Sequence, residues 1–299
     1  MKHWIIRISL GLVVVGLLVL AGSCNPFDPL AAAGFGDLKI YWTTNDGKIY
    51  SSDLDGQYTE LLYDAGTAIK CLAIDQVNDI LYWSEDHGGP PGNAVYRADT
   101  DGTNKEVFHA DTLAQSIAID IENEMVYIGS STGAIIRKGT DMAGVGSAEE
   151  ILPQGGSPPY IALDLVNNDI YFSIGSHVVY RDEISSSIDY TDIFDTIDSA
   201  GTIASVVVLD SGATVYWLNS STGIIRKNTD GSQREIVYPG GDITGSIGVT
   251  VDPYSDAVYW TTPAMQGNLH LGTTDGGSSE IIVPNVSDGP NYIVIDLWP

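Results

Sequence analysis

Short apolar segments alternate with polar turns along most of the chain, and one unit of this pattern recurs. In residues 72–83 an apolar strand ends at Asp75, a polar turn follows, and a second strand ends in the aromatic pair Tyr82-Trp83. The first strand of the unit is apolar at successive positions, as in 72–74 and 117–119. Strands that are covered on both faces lose the period-two alternation in this way. The pattern therefore predicts buried strands joined by short turns.

The unit returns at nearly constant intervals. A Tyr recurs every 41 to 45 residues, at Tyr41, Tyr82, Tyr127, Tyr171, Tyr216 and Tyr259. An Asp recurs in the same order, at Asp75, Asp120, Asp164, Asp210, Asp252 and Asp296. Six copies at this spacing indicate a repeat architecture. Because Asp commonly accepts backbone N–H groups in turns, we interpret these carboxylates as structural rather than catalytic.

Each unit continues with a third strand, a turn and a fourth strand. The turns contain Asp-Gly, which supplies the positive φ of a tight hairpin, at 55–56, 101–102, 230–231 and 275–276. Four short antiparallel strands in 40 to 45 residues are typical of a propeller blade. The sequence predicts an all-β protein, a six-bladed β-propeller with four antiparallel strands per blade.

The aromatic pairs support a family resemblance. The segments are Tyr41-Trp42-Thr43, Tyr82-Trp83-Ser84, Tyr216-Trp217-Leu218 and Tyr259-Trp260-Thr261. They resemble the YWTD repeat, the class B repeat of the low-density lipoprotein receptor family, from Lys39 to the C-terminus. The resemblance implies a six-bladed propeller.

The chain departs from the YWTD motif at two positions. The fourth position is never Asp, whereas in the family that Asp ties neighbouring strands together; it carries Thr44, Glu85, Ser130, Ile174, Asn219 and Thr262. Ile128 and Phe172 replace Trp in the third and fourth repeats. The departures leave the fold prediction intact, but membership of the receptor branch does not follow.

The two ends of the repeat region complement each other. The first aromatic pair, Tyr41-Trp42, has no innermost strand before it, and the last innermost strand, 292–296, has no aromatic pair after it. We predict that the C-terminal strand enters the N-terminal blade, because closure removes exposed sheet edges.

The N-terminus predicts export. Lys2 and Arg7 precede an apolar run, 8–20, and Ala21-Gly22-Ser23 leads to Cys24. This is a secretory signal, and the Cys after small residues looks like a bacterial lipobox, with lipidated Cys24 as the new N-terminus. The alternative is an ordinary signal peptide that ends near a Cys.

These predictions divide the chain into three segments. They are a lipoprotein signal peptide (1–23), the lipidated Cys with a tether (24–36) and the propeller (37–299). The expected location is the extracytoplasmic side of a bacterial envelope. Asn25 after Cys24 favours the outer membrane if the source is Gram-negative.

Charge and cysteine content restrict the partners. The signal segment holds two of the 13 basic residues and none of the 39 acidic ones, so the rest carries 11 − 39, or −28. Such a surface repels nucleic acid and anionic lipid, so we expect membrane attachment by the lipid anchor only. Cys71 is the only other cysteine, and we expect it to be a buried apolar residue.

No catalytic group, cofactor site or metal site is predicted. A lactonase-type propeller hydrolase would gather carboxylates at the channel mouth. The chain enters each innermost strand from that mouth, five residues before the repeated Asp. The residues at these six positions are Lys70, Gln115, Pro159, Ser205, Ile247 and Asn291. None is a carboxylate, so hydrolysis is the second hypothesis. A third is an envelope-assembly scaffold resembling periplasmic propellers such as TolB.

The preferred hypothesis is a non-catalytic, monomeric binding module. Binding residues tend to lie on loops presented by a rigid scaffold. The loops between second and third strands share one rim with the connections between blades. Candidate binding residues there are Asp46, Glu85, Asp86, His87, Asp111, Asp242 and Asp288. The ligand would be a protein, peptide or glycan, and the acidity favours a basic one.

Lipidation can be tested by labelling cells with a fatty acid. We expect the wild-type chain to take up the label and Cys24→Ala to lose it, because the thiol of Cys24 is the attachment point for the lipid that carries the fatty acids. Cys71→Ala is the control and should label normally. An unlabelled wild type, or a labelled Cys24→Ala chain, would show that the anchor hypothesis is wrong.

Overall fold

The chain divides into two compact units, Met1–Gly36 and Asp37–Pro299. The computed structural model describes residues 38–89, 92–140, 148–153, 156, 159–174, 178–185, 187–189, 191–196, 203–208, 214–240, 243, 245–252, 254–264 and 266–296. The predicted signal peptide, Cys24 and the tether therefore lie outside the described residues. Within the described ranges, no helix has the length and apolar character needed to cross a membrane.

The described ranges form strands joined by turns. The first twelve are β1 (Lys39–Thr44), β2 (Lys48–Asp53), β3 (Glu60–Asp64), β4 (Ile69–Asp75), β5 (Ile80–Glu85), β6 (Ala94–Asp99), β7 (Glu106–Ala110), β8 (Ala114–Asp120), β9 (Met125–Ser130), β10 (Ile135–Gly139), β11 (Glu149–Leu152) and β12 (Tyr160–Asp164). The next twelve are β13 (Asp169–Ile174), β14 (Val178–Glu183), β15 (Ile193–Thr196), β16 (Ile203–Val208), β17 (Thr214–Asn219), β18 (Gly223–Asn228), β19 (Glu235–Pro239), β20 (Val249–Asp252), β21 (Ala257–Thr262), β22 (Gln266–Thr273), β23 (Ser279–Ser287) and β24 (Pro290–Asp296).

The strands form six four-stranded antiparallel sheets. Blade 1 has the order β24-β1-β2-β3, and blades 2 to 6 take β4–β7, β8–β11, β12–β15, β16–β19 and β20–β23 in chain order. The innermost strands contact one another in a ring, β24 to β4, β8, β12, β16, β20 and back to β24. The predicted six-bladed propeller with four antiparallel strands per blade is confirmed.

The ring closes as predicted. Within blade 1, Lys39 pairs with Asp296, Tyr41 with Val294 and Trp42 with Ile293. The C-terminal strand thus supplies the inner strand that β1 lacks in the local sequence. Since every innermost strand now has a sheet neighbour and two flanking blades, closure leaves no blade face open.

The aromatic pairs fill the spaces between blades. Tyr82 and Trp83 point to opposite sides of β5, because side chains alternate along a strand. Tyr82 packs with Phe108 and Ile128 toward blade 3. Trp83 packs with Tyr41 and Ile49 of blade 1. Both side chains are almost fully buried. Each pair therefore binds its blade to both neighbours.

Arginines on third strands form a second set of contacts between blades. Arg97 pairs with Glu106 at 2.7 Å and donates from Nη1 to the carbonyl of Thr140 in the next blade at 2.7 Å. The arrangement recurs at Arg137, Arg181 and Arg226, whose carbonyl acceptors are Ser185, Thr229 and Thr274. These bonds join blades 2 to 6 in sequence.

The third-strand residue opposite the repeated Tyr is not an arginine in blades 1 and 6, the two blades that meet at the closure. Ser51 lies opposite Tyr41 in blade 1, and Leu271 lies opposite Tyr259 in blade 6. In blade 1 the buried Tyr41 lies close to Thr100 of blade 2 instead. Among the described residues, no arginine joins blade 1 to blade 6 or to blade 2. The attachment of blade 1 to the ring therefore depends more on β24.

The importance of β24 can be tested by truncation. Deleting residues 292–299 removes the buried side chains Ile293 and Ile295 and leaves β1 without its inner partner. The free energy of unfolding of a domain is about 5–15 kcal/mol, and each lost aliphatic core side chain costs about 2–5 kcal/mol. We therefore expect loss of cooperative unfolding, measured by tryptophan fluorescence in urea, together with aggregation.

Deleting residues 297–299 alone is the control for this truncation. It leaves every pair of β24 with β1 intact and should unfold like the full chain. A chain lacking 292–299 that melts like the control would show that the C-terminal strand is not structural.

Candidate functional site on the loop face

The antiparallel blades give the propeller two different faces. We call the face that carries the connections between second and third strands, and those between blades, the loop face. The opposite face carries the turns between first and second strands and between third and fourth strands; we call it the turn face.

The repeated Asp residues organise the turn face. Asp75 Oδ1 accepts the backbone N–H groups of Val77 and Asn78 at 3.1 Å, and Asp75 Oδ2 accepts from Asn78 Nδ2 at 2.8 Å. Equivalent bonds are made by Asp120, Asp164 and Asp252. These four carboxylates and Asp296 are buried, whereas Asp210 lies outside the described residues.

The tight turns between third and fourth strands pack against neighbouring blades. Gly102 adopts a φ of +82°, and a Cβ there would lie 2.6 Å from the carbonyl oxygen of Leu62 in blade 1. Only glycine meets both conditions. The sequence of this face is therefore constrained largely by turn geometry and packing.

Two candidate carboxylates of the loop face form ion pairs. Asp46 accepts from Lys48 Nζ and from Thr44 Oγ1. Asp86 lies 3.4 Å from Lys70 Nζ and accepts the N–H of Gly88 at 3.0 Å. The negative charge that these two residues offer to a ligand is therefore partly neutralised.

Glu85 is buried rather than presented to solvent. Its side chain is 3% exposed. Its oxygens accept from Trp83 Nε1 at 2.9 Å and Lys105 Nζ at 2.6 Å, and lie 3.0 Å from His87 Nε2. Since its carboxylate already has three partners, Glu85 positions its neighbours and does not contribute to the exposed surface.

Lys105 is enclosed by aromatic rings. Its ammonium lies 3.8 Å from the centroid of Tyr96 and 4.5 Å from that of Tyr63. Burial alone would lower the pKa of Lys105, but the bonds to Glu85 and Tyr63 raise the pKa above its ordinary value. The ammonium stays charged and holds blade 2 against Tyr63 of blade 1.

The loop after Glu85 is held at its base. The backbone N–H of His87 donates to Asn93 Oδ1 at 2.7 Å, and the N–H of Asp86 donates to the carbonyl of Ala68 at 2.9 Å. The imidazole of His87 lies at the surface, next to the buried Glu85. The buried cluster thus presents His87 in a defined position on the loop face.

Three carboxylates of the loop face are exposed and form no ion pair within the described ranges. They are Asp64, Asp111 and Asp288. Asp111 and Asp288 have φ values of +58° and +65°, which Asp tolerates better than most residues. The pKa of Tyr50 is raised above its ordinary value. The main cause is burial, and the negative charges of Asp288 and Asp64 contribute less.

These carboxylates lie on neighbouring connections. Starting at blade 6, the series of connections carries Asp288, Asp46, Asp64, Asp86 and Asp111. They form an acidic arc over blades 6, 1 and 2. Asp242, the remaining candidate, lies outside the described residues.

The central channel forms a cavity of about 290 Å³. Tyr160 of blade 4 and Tyr292 of blade 1 line it from opposite sides of the ring. Burial raises the pKa of both tyrosines. Among the described residues, no group of three or more His, Cys, Asp or Glu side chains could hold a metal ion. Cys71 lines the cavity and is buried.

Solved structures share this fold. A chain from the crystal structure of a nidogen/laminin complex superposes with a TM-score of 0.73 at 15% identity, covering 87% of this chain and 98% of that one. TolB from Acinetobacter baumannii superposes with a TM-score of 0.70 at 13% identity, covering 90% of this chain and 69% of that one. No family model and no curated protein matches the sequence. At these identities the likeness shows the propeller fold alone, as the YWTD-like repeats predicted.

The role of Glu85 can be tested with Glu85→Gln. The change leaves the ammonium of Lys105 without its carboxylate among the aromatic rings, so we expect the free energy of unfolding to fall by about 1–3 kcal/mol. The measurement is urea unfolding followed by tryptophan fluorescence.

Two further variants control this test. Asp86→Asn removes a neighbouring, partly exposed charge and should change the free energy of unfolding by about 0.5 kcal/mol or less. Adding Lys105→Met to Glu85→Gln should recover part of the loss, because it removes the unpaired charge. If Glu85→Gln is as stable as the wild type, the buried cluster does not support the loop face.

Proposed function

We propose that this chain is a membrane-anchored, extracytoplasmic and non-catalytic binding module that recognises a protein or peptide with a basic surface through its loop face. The observation that carries the proposal is the exposure of Asp64, Asp111 and Asp288 on connections that differ between blades. The repeated carboxylates of the turn face are instead buried and accept the N–H groups of their own turns. A partner without sixfold symmetry is recognised through contacts that differ from blade to blade, and the loop face provides such contacts.

The distribution of positive charge supports a basic partner. Residues 24–299 contain 11 basic side chains, and nine of them form ion pairs within the propeller. Most cations therefore already have acidic partners, while unpaired carboxylates such as those of Asp64, Asp111 and Asp288 face solvent. Such a surface attracts cationic partners, and the attraction weakens as salt shortens the Debye length, which is about 8 Å at 0.15 M.

The fold likenesses are compatible with this function. One neighbour belongs to a solved protein complex, nidogen with laminin, and the other is TolB. An alternative set of partners is envelope proteins, which would make the chain an envelope-assembly scaffold of the same binding type. Propellers host many functions, so the partner must be found by experiment.

The proposal predicts which face carries the binding site. The loop-face variant replaces Asp64, Asp111 and Asp288 with Asn. The matched turn-face variant carries Asp79→Asn, Glu122→Gln and Asp256→Asn. Both variants remove three exposed carboxylates. Each also changes two residues at positive φ, Asp111 and Asp288 or Asp79 and Asp256, where Asn is tolerated.

Binding is measured by comparative pull-down from membranes of the source cells, then by titration of the captured partner at several salt concentrations. We expect the loop-face variant to lose about tenfold or more in affinity, equivalent to about 1.4 kcal/mol, and to show a weaker salt dependence. The turn-face variant should bind within about twofold of the wild type. Normal binding by the loop-face variant, with failure of the turn-face variant, would place the site on the other face.

A further inference from the structure

The chain enters the propeller on the turn face. Lys39, the first residue of β1, pairs with Asp296 on one side and Asp53 on the other. Both partners are the last residues of their strands, and these strands end at the turn face. The first residue of β1 therefore lies at the turn face and not at the loop face.

The turn face also exposes large apolar side chains. Tyr58 is 91% exposed, Tyr254 80%, Val166 62% and Val77 46%. The geometry of the turns does not require them, because the bonds that shape the turns come from Asp and from Asn or Ser side chains. Val77, Val166 and Tyr254 lie on blades 2, 4 and 6, around the turn-face end of the channel.

Charge decides what kind of surface these side chains can meet. Exposed carboxylates lie on the same face: Asp79 and Asp256 share the turns of Val77 and Tyr254, and Glu122 lies in the corresponding turn of blade 3. They would be repelled by anionic head groups, but a zwitterionic lipid surface carries no net charge. Tyrosine is enriched where an apolar interior meets a polar interface, and its ring suits a bilayer surface.

The length of the connection favours the same surface. Cys24 precedes Leu38 by 14 residues, 38 − 24, which span at most about 46–50 Å when extended. A tether that reached the loop face would first pass outward over β2 and β3, about 10 Å. It would then run along the length of a six-residue strand, about 20 Å. A tether on that route would be drawn out over much of its length, which costs conformational entropy.

We propose that the turn face lies against a lipid bilayer of zwitterionic head groups, with Tyr58, Val77, Val166 and Tyr254 at the interface. The loop face then points away from the membrane and stays open to its partner. The proposal rests on the lipid anchor at Cys24 that forms part of the proposed function.

The test uses the acylated full chain in phosphatidylcholine vesicles. Single spin labels are placed at Val166→Cys and Tyr254→Cys on the turn face, and at Asp64→Cys and Asp111→Cys on the loop face; Cys71 is buried and should not react. Collision rates are measured with oxygen, which concentrates in the bilayer, and with a water-soluble nickel chelate. We expect turn-face labels to gain oxygen collisions severalfold relative to the unacylated Cys24→Ala chain, with loop-face labels unchanged.

Two variations examine the physical basis. Replacing Val77 and Val166 with Ser, with the label at Tyr254→Cys, should reduce the oxygen effect at that label, because the apolar contact is weaker. Adding about one-third phosphatidylglycerol should also reduce it, and salt should restore it by screening. The matched change of Leu61 and Val107 to Ser, on outer strands, should have no effect.

Several results would overturn the proposal. These are equal collision rates on the two faces, an oxygen effect at the loop-face labels instead, or the absence of acylation. Partner binding by the loop face is measured separately on the unacylated chain. Failure of the membrane orientation therefore differs visibly from failure of the binding function.

Discussion

The pairing of β24 with β1 is the constraint on which the rest of the ring depends. A blade is buried on both faces only when it has two neighbours, so an open ring would expose apolar faces at both ends. The C-terminal strand does more than fill an edge. Gln76 Nε2 of blade 2 donates to the carbonyl of Ile295 at 2.7 Å, and Tyr292 meets Tyr160 of blade 4 across the channel. One strand thus contacts its own blade, the next blade and the opposite one.

The repeat could be predicted from sequence because its determinants are periodic side chains. The Tyr and Asp positions, the aromatic pairs and the unmatched terminal strands were sufficient to derive six blades and their closure. The arginine bridges between blades cannot be derived in the same way, although Arg97, Arg137, Arg181 and Arg226 also recur at similar spacing. Their acceptors are backbone carbonyls of the next blade, and any residue type supplies a carbonyl. The arginines are therefore periodic in the sequence, but the sequence does not indicate which carbonyls accept their hydrogen bonds.

The candidate site was harder to predict, because charge alone does not indicate exposure. The sequence predicts Glu85 on the binding rim with Asp86 and His87, because all three follow an apolar strand. The structure buries Glu85, because Lys105 reaches it from the turn before β7 and Trp83 donates to it from the same strand. The contact with Lys105 spans 20 residues and depends on how β6 and β7 pair. Local sequence contains no such information.

The fourth position of the YWTD-like motif, where the family has Asp, differs between blades and contributes to the differences between the loops. In blade 5, Asn219 Oδ1 accepts the N–H groups of Ser221 and Thr222, at 3.1 and 2.9 Å, and so shapes the connection after β17. In blade 6, Thr262 does this for Asn268, and in blade 2 Glu85 supports His87. In these three blades the fourth-position side chain bonds to its own loop or to the strand that follows it.

This use of the fourth position has a cost that differs between blades. In blade 2, Trp83 Nε1 has the carboxylate of Glu85 as acceptor. In blade 5, Trp217 Nε1 and Asn219 Nδ2 are buried donors that have no acceptor among the described residues. Unpaired buried donors cost about 1–3 kcal/mol each unless water reaches them. The ring tolerates this because the aromatic packing and the closing strand hold each blade on both faces. Stability supplied by the repeat thus leaves the second-to-third-strand connections free to diverge, and only divergent connections can distinguish one partner from another.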